Sequence, residues 1–111
     1  MINFKELRIG NWLFSKTYKT EIEMKSFFGL CNVESNQDLF ESIPLTEEWL
    51  LKFGFKKYSN NFIKYGDIEF YIWTTNNSYQ IKALDKLIKI ETVHELQNLY
   101  FLLTKTELFY E

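Results

Sequence analysis

Cysteine, histidine, proline and arginine each occur only once in this chain of 111 residues. The single cysteine, Cys31, excludes a disulfide bond within one chain, so a reducing cytoplasm is the expected location. The single histidine, His94, has no second His or Cys at the spacing that a metal site requires. No apolar stretch has the length of a signal-peptide core or a membrane span, and we expect no contact with a membrane.

Neither sign of charge dominates the chain. Thirteen Lys and Arg residues oppose fifteen Asp and Glu residues, which gives a net charge of −2. A surface for a long nucleic acid needs clustered basic residues, and Arg is preferred for reading base edges. Arg8 is the only Arg here, and the acidic excess is too small to imitate DNA. We therefore expect no long nucleic acid as a partner.

Motifs for catalysis are missing as well. The sequence has no Gly-rich phosphate loop, no nucleophile elbow and no metal-binding pair of His or Cys residues. Cys31 lies in an apolar segment that we interpret as a strand, where a free Cys is typically a small buried hydrophobic residue. An enzyme requires convergent groups with tuned pKa values, so we expect a non-enzymatic protein without a cofactor or metal.

Aromatic residues are abundant, with eleven Phe, seven Tyr and three Trp making up 19% of the chain. Rings bury more surface per residue than other side chains, so most of them are expected in the core. Rings that stay exposed form self-association or ligand-binding surfaces.

The pattern before Pro44 is that of a small β-rich lobe. It predicts a polar turn at residues 34–38 and short strands at residues 11–15, 19–27, 28–33 and 39–43. Ile22 and Met24 alternate with charged residues at the period of a half-buried strand. Short strands with tight turns indicate a small bent antiparallel sheet or partial barrel, and residues 2–7 suit one helical turn.

After Pro44 the sequence predicts a helix, an antiparallel meander and a second helix. The first helix starts at the N-cap Thr46 and ends before Gly54, and the second starts at Thr92, which pairs with Glu95 as a capping box. The meander strands are expected at residues 61–65, 68–74, 79–84 and 86–91, with turns at Gly66-Asp67, 76–78 and Asp85. The last helix carries an apolar stripe that should face the sheet: Val93, Leu96, Leu99, Tyr100 and Leu103.

The predicted fold class is α+β, with the small N-terminal sheet joined to a helix–antiparallel meander–helix unit. We expect one compact domain over residues 1–111. Its sub-lobes are a β-rich part at residues 1–43 and an α-β-meander-α part at residues 44–111.

Three blocks occur together and in order: "ELRIGNW" at residues 6–12, "IPLTEEWLLKFGF" at 43–55 and "VHELQNLYFLLT" at 93–104. In these blocks the chain resembles a family of small uncharacterised proteins from Bacteroidetes genomes, prophages and phages. Variable β-rich segments separate the blocks in that family, and its members often have Gly at the position of Lys105. The resemblance implies an accessory protein of a phage or mobile element, and it implies no particular reaction.

Two groups of residues are candidates for a site. The first lies on the last helix, where His94 and Asn98 follow each other at helical spacing beside Gln97. One interpretation is a solvated helix face on which His94 bonds to a loop. The other is a polar rim with an aromatic floor, which suits a base or sugar ligand.

The second group surrounds the predicted strand "IEFYIWT" at residues 68–74. Tyr71 and Trp73 should share one face of the sheet, close to Lys82 of the next strand. The opposite face should hold Ile68, Phe70 and Ile72. Three roles for the outward rings stay open: packing on the N-terminal sheet, a dimer interface, or stacking on a base whose phosphate Lys82 or Arg8 holds.

These observations favour non-catalytic binding. The leading hypothesis is counter-defence, in which the protein sequesters a small nucleotide-type signal at Tyr71, Trp73 and Lys82. An alternative is a protein-binding inhibitor or adaptor of a host defence or regulatory protein that uses the same rings as hot spots. A third hypothesis is a structural or regulatory domain that self-associates as a homo-oligomer.

Overall fold

The computed structural model describes residues 4–65, 69–75, 78–83 and 86–108. These residues form helices and two antiparallel sheets, which confirms the α+β class. The chain divides into two compact units, Met1–Pro44 with Thr92–Asn98 and Leu45–Glu91 with Leu99–Glu111. Among the helices in the described part, none is long and apolar enough to cross a membrane.

The first unit contains a small antiparallel sheet, as predicted. Its strand order is β2-β1-β3, with β1 at Trp12–Ser15, β2 at Thr20–Glu23 and β3 at Phe40–Glu41. A short 3-10 helix at Phe4–Glu6 lies where one helical turn was expected. The hydrophobic core of this unit is formed by Leu13, Met24, Val33 and Phe40.

The strand predicted at residues 28–33 is wrong, because these residues belong to helix α1, Phe27–Ser35. Ser26 caps the helix, since its Oγ accepts a hydrogen bond from the Gly29 N–H at 3.2 Å. Val33 is fully buried whereas Phe28 is 85% exposed. Cys31 therefore lies on a helix, half-buried, and not in a strand. A short apolar run does not by itself distinguish a helix from a strand.

The second unit begins with helix α2, Glu47–Lys52, whose predicted boundaries are confirmed. The Thr46 hydroxyl accepts a hydrogen bond from the Trp49 N–H at 3.4 Å. At the other end Gly54 has a φ of 90°. The N–H of Phe55 bonds to the Leu50 carbonyl, and that of Gly54 to the Leu51 carbonyl, both at 3.0 Å. This pair of bonds is a Schellman motif, which requires the left-handed conformation that glycine adopts freely.

The second unit continues as a five-stranded antiparallel meander in the order β4-β5-β6-β7-β8. The strands are β4 at Lys56–Tyr58, β5 at Asn61–Lys64, β6 at Phe70–Thr75, β7 at Ser78–Ala83 and β8 at Lys86–Ile90. Strand β4 was not predicted. Of the predicted turns, Gly66-Asp67, Asn76-Asn77 and Asp85 lie outside the described residues.

Helix α3 spans Val93–Thr104, and the Thr92 hydroxyl accepts a hydrogen bond from the Glu95 N–H at 3.3 Å, as expected of an N-cap. The predicted stripe is buried at Val93, Leu96 and Tyr100 and half-buried at Leu99, but Leu103 is 39% exposed. The stripe therefore ends before the last turn of the helix. In the second unit, the Tyr100 ring packs on those of Phe55 and Phe70, at centroid distances of 6.4 and 4.9 Å.

Candidate functional site

Successive side chains of β6 point to opposite faces of the sheet, as predicted. Phe70 and Ile72 are buried, whereas Tyr71 and Trp73 keep 37% and 36% of their surface accessible. Ile68, predicted to lie with the buried pair, is outside the described residues. We call the face that carries Tyr71 and Trp73 the outer face. Because both rings are exposed, they are not core residues and are accessible to a binding partner.

The rings of Tyr71 and Trp73 are nearly parallel and stacked, with centroids 6.0 Å apart and an interplanar angle of 21°. Residues i and i+2 of a strand share a face, which places these two rings side by side. Stacking holds each ring in one orientation, and about a third of each side chain remains exposed beside the other ring. Such a pair of exposed rings is suited to a second planar group, either a base or another protein's side chain.

A pocket of about 340 Å³ adjoins Trp73 on the outer face. Its lining residues are Trp73, Thr75, Gln80, Lys82 and Leu87. Strand pairing explains why they meet, because Trp73 lies opposite Gln80, and Lys82 lies opposite Leu87. Lys82 and Trp73 are thus brought together, as the sequence predicted. The volume is at the lower end of the range typical of small-molecule sites.

Two further tyrosines are exposed in the same unit and were missed by sequence reasoning. Tyr58 and Tyr65 are 47% and 55% exposed. Tyr58 lies opposite Asn61, which in turn lies opposite Trp73, so the outer face extends to β4. Partial burial, followed by the contact with Tyr58, raises the pKa of Tyr65. No signal in the sequence marked this extension, because all three residues of β4 are exposed and show no alternation.

The Tyr71 hydroxyl is held in place by a hydrogen bond to the Glu69 carboxylate. This bond, followed by partial burial, raises the pKa of the Tyr71 phenol. Tyr71 therefore remains a neutral donor at physiological pH, because ionisation would place a phenolate beside a carboxylate.

Arg8, His94 and Asn98 form a separate polar cluster in the first unit. The Asn98 Oδ1 accepts hydrogen bonds from Arg8 Nε at 3.0 Å and from Asn11 Nδ2 at 2.9 Å, while Asn98 Nδ2 donates to the Glu6 carbonyl. His94 is only 2% exposed, with Nε2 at 3.4 Å from the Glu6 carboxylate. His94 does not lie on a solvated helix face, because packing buries it beside Glu6.

Gln97 shows what this cluster does structurally. Its Nε2 donates to the Gly10 carbonyl at 2.8 Å, and its Oε1 accepts from the Trp12 N–H at 2.9 Å. Residues 92–98 of the chain therefore group with the first unit, although the sequence had assigned them to the second lobe. The side-chain amide of Gln97 thus supplies the Gly10 carbonyl and the Trp12 N–H with the hydrogen-bond partners that backbone groups need when they are shielded from water.

Among the described residues, no three His, Cys, Asp or Glu side chains are grouped in a way that could hold a metal ion. No protein-family model, curated protein or solved structure matches this chain.

Proposed function

We propose that this protein acts by non-catalytic binding and sequesters a small nucleotide-type ligand on the outer face of its five-stranded sheet. The observation that carries the proposal is the exposed Tyr71–Trp73 stack beside a pocket that contains Lys82. An exposed aromatic pair next to a cation matches the two chemical parts of a nucleotide, its base and its phosphate.

The base would stack on the exposed aromatic surface. Base–aromatic stacking contributes about 1–3 kcal/mol per base and tolerates any base, because every base has a π-face. The Gln80 amide, opposite Trp73 in the sheet, offers both a donor and an acceptor to the base edge.

The phosphate would lie against the β7–β8 side of the pocket. Lys82 lines the pocket itself, and Lys89 lies opposite Gln80 on the neighbouring strand. Lys89 is 3.7 Å from the Glu91 carboxylate, which reduces its net effect on an anion. We therefore assign the principal phosphate contact to Lys82. Arg8 is hydrogen-bonded to Asn98 in the first unit and is not included in the proposed site.

Sequestration of a nucleotide signal is a means of counter-defence for a phage or mobile element. The resemblance of the three sequence blocks to small phage and Bacteroidetes proteins supports this context. A sequestering protein needs binding residues and no reacting groups, which agrees with a site made of two rings, an amide and a lysine.

The second candidate function is an inhibitor or adaptor that binds a host protein. It is favoured by the further exposed side chains Tyr58, Tyr65 and Leu87, which extend the apolar surface beyond one small pocket. Tyr and Trp are the residue types that most often dominate the energy of protein interfaces. The same surface would also serve a homo-oligomer.

A thermal-shift screen of mono-, di- and cyclic nucleotides against the wild type and Trp73→Ala tests the proposal. At least one nucleotide should raise the melting temperature of the wild type. Loss of the Trp73 ring should weaken the affinity of the protein for that nucleotide by roughly five- to a hundred-fold. Tyr18→Ala is the matched control, because Tyr18 is an aromatic residue of the first unit and is 77% exposed. This variant should leave the affinity for the nucleotide unchanged.

Lys82→Gln adds an independent arm to the screen. It should weaken binding more at low salt than at high salt, because a lysine–phosphate contact is screened by ions. If no nucleotide stabilises the wild type, sequestration is wrong. If Trp73→Ala then changes the assembled mass in native mass spectrometry, the outer face is a protein interface.

A further inference from the structure

The hydroxyl of Thr74 is buried without a partner. Its Oγ1 has no hydrogen-bond partner in the part of the chain that the structure describes, whereas its backbone N–H donates to the Asn60 carbonyl at 3.0 Å. A buried hydroxyl without a hydrogen bond destabilises a fold, so native proteins rarely keep one without a reason. Thr74 follows Trp73 on β6, and its side chain consequently points away from the outer face.

Thr74 lines a second pocket, of about 190 Å³, within the second unit. Phe62 and Tyr79 form an apolar wall of this pocket, with ring centroids 6.2 Å apart in an edge-to-face arrangement. Tyr79 lies directly opposite Thr74 in the sheet. An apolar cavity of about 150 Å³ in another protein holds one benzene molecule. The space here therefore suits a single six-membered ring with small substituents.

The charges at this pocket cancel each other. Glu47 and Lys57 both line it and form an ion pair of 2.7 Å, with their side chains about half exposed. Burial, followed by the charge of Glu47, raises the pKa of the Tyr79 phenol, so its hydroxyl stays protonated. The pocket thus presents neutral hydroxyls and a neutralised ion pair, which gives no preference for an anion or a cation.

We infer that this pocket is a binding site for an uncharged single-ring heterocycle that carries adjacent hydrogen-bond donors and acceptors, the chemistry of a pyrimidine base. The ring would pack on Phe62 and Tyr79. A rotation of the Thr74 side chain about χ1 would turn its shielded hydroxyl toward the polar edge of the ring, which would supply the partner that this hydroxyl lacks. A hydroxyl both donates and accepts, so either edge group of a pyrimidine can satisfy it. This site is distinct from the outer-face site, because different residues form it on the opposite side of β6.

Isothermal titration calorimetry of the full chain with uracil and with cytosine tests the inference. At least one base should bind the wild type, and Thr74→Val should weaken it by tenfold or more, because the variant keeps the side-chain shape and removes the hydroxyl. Thr20→Val is the matched control, since Thr20 is exposed on strand β2 of the first unit, and this variant should bind the same base with unchanged affinity. The unliganded Thr74→Val protein should melt at the same temperature as the wild type or higher.

The results also separate the two sites. Thr74→Val should leave the binding of purine nucleotides on the outer face unchanged, because Thr74 points away from that face and the second pocket suits a single ring. Failure of both bases to bind the wild type overturns the inference. So does a lower melting temperature of unliganded Thr74→Val, because the hydroxyl would then be satisfied by structural water. Equal loss of pyrimidine binding in Thr20→Val, or loss of purine-nucleotide binding in Thr74→Val, would likewise contradict a separate site.

Discussion

The side chain of Gln97 accepts a hydrogen bond from the backbone N–H of Trp12 at 2.9 Å, across 85 positions of sequence. The same amide donates to the Gly10 carbonyl at 2.8 Å. Gln97 is 1% exposed, so water is a poor substitute for it at either backbone group. One side chain of helix α3 thereby holds the entry to strand β1.

Gln97→Met should lower the free energy of unfolding by about 2–6 kcal/mol, because it removes the Gln97 hydrogen bonds to two part-buried backbone groups, at about 1–3 kcal/mol each. Urea denaturation followed by tryptophan fluorescence measures the change. Gln37→Met is the control, because Gln37 is half-buried in the 3-10 helix Gln37–Leu39. Its free energy of unfolding should stay within about 0.5 kcal/mol of the wild-type value. A similar small change in Gln97→Met would show that the Gln97 bonds contribute little.

Two leucines of α3 provide a matched pair for the buried stripe. Leu96 is fully buried and Leu102 is 63% exposed. Leu96→Ala should destabilise the protein by about 2–5 kcal/mol, through lost burial and the cavity that remains. Leu102→Ala should change stability by less than about 0.5 kcal/mol. Equal effects of the two substitutions in chemical denaturation would contradict the orientation of the helix.

Lys105 occupies a left-handed position directly after α3. Its φ is 61°, and its N–H bonds to the Phe101 carbonyl at 2.8 Å, which is the bond of a left-handed helix cap. A residue with a Cβ is strained there, so Lys105→Gly should raise stability by about 0.5–1 kcal/mol. Lys105→Ala retains the strain and should give no such gain in thermal unfolding. Equal melting temperatures of the Gly and Ala variants would argue against the cap.

Tyr79 links stability to alkaline pH. Burial raises its pKa, so the folded protein holds the phenolic proton more tightly than the unfolded chain. This contribution is complete below the ordinary Tyr pKa of about 10 and is lost as pH rises through the higher folded value. Tyr79→Phe should therefore lose less stability than the wild type above about pH 10. Urea denaturation at a series of pH values around and above the ordinary Tyr pKa measures this difference, with Tyr18→Phe as the control at an exposed tyrosine. Parallel curves for all three proteins would contradict the coupling.

Several features of the fold could be predicted because they depend on neighbours in the chain. Thr46 and Thr92 cap their helices through bonds to residues three positions later. Gly54 ends α2 because the Schellman turn requires its conformation. The alternation of β6 likewise predicted which side chains are buried and placed Trp73 beside Lys82.

Predictions failed where local patterns are ambiguous and a distant segment decides. Residues 28–33 are apolar enough for a strand, yet Val33 packs in the core from helix α1. Strand β4 has three exposed residues, so its sequence shows no buried face. It is a strand because β5 supplies its hydrogen-bond partners.

The sequence by itself therefore determined the helix ends and the outward rings of β6, since backbone geometry and short-range hydrogen bonds govern both. Only the tertiary structure decided that His94 and Gln97 are buried, because their partners at residues 6–12 are more than eighty positions away. It likewise left the Thr74 hydroxyl, on the inner side of the sheet, without a hydrogen-bond partner among the described residues. Burial is a property of what packs against a residue, and no local pattern contains that information.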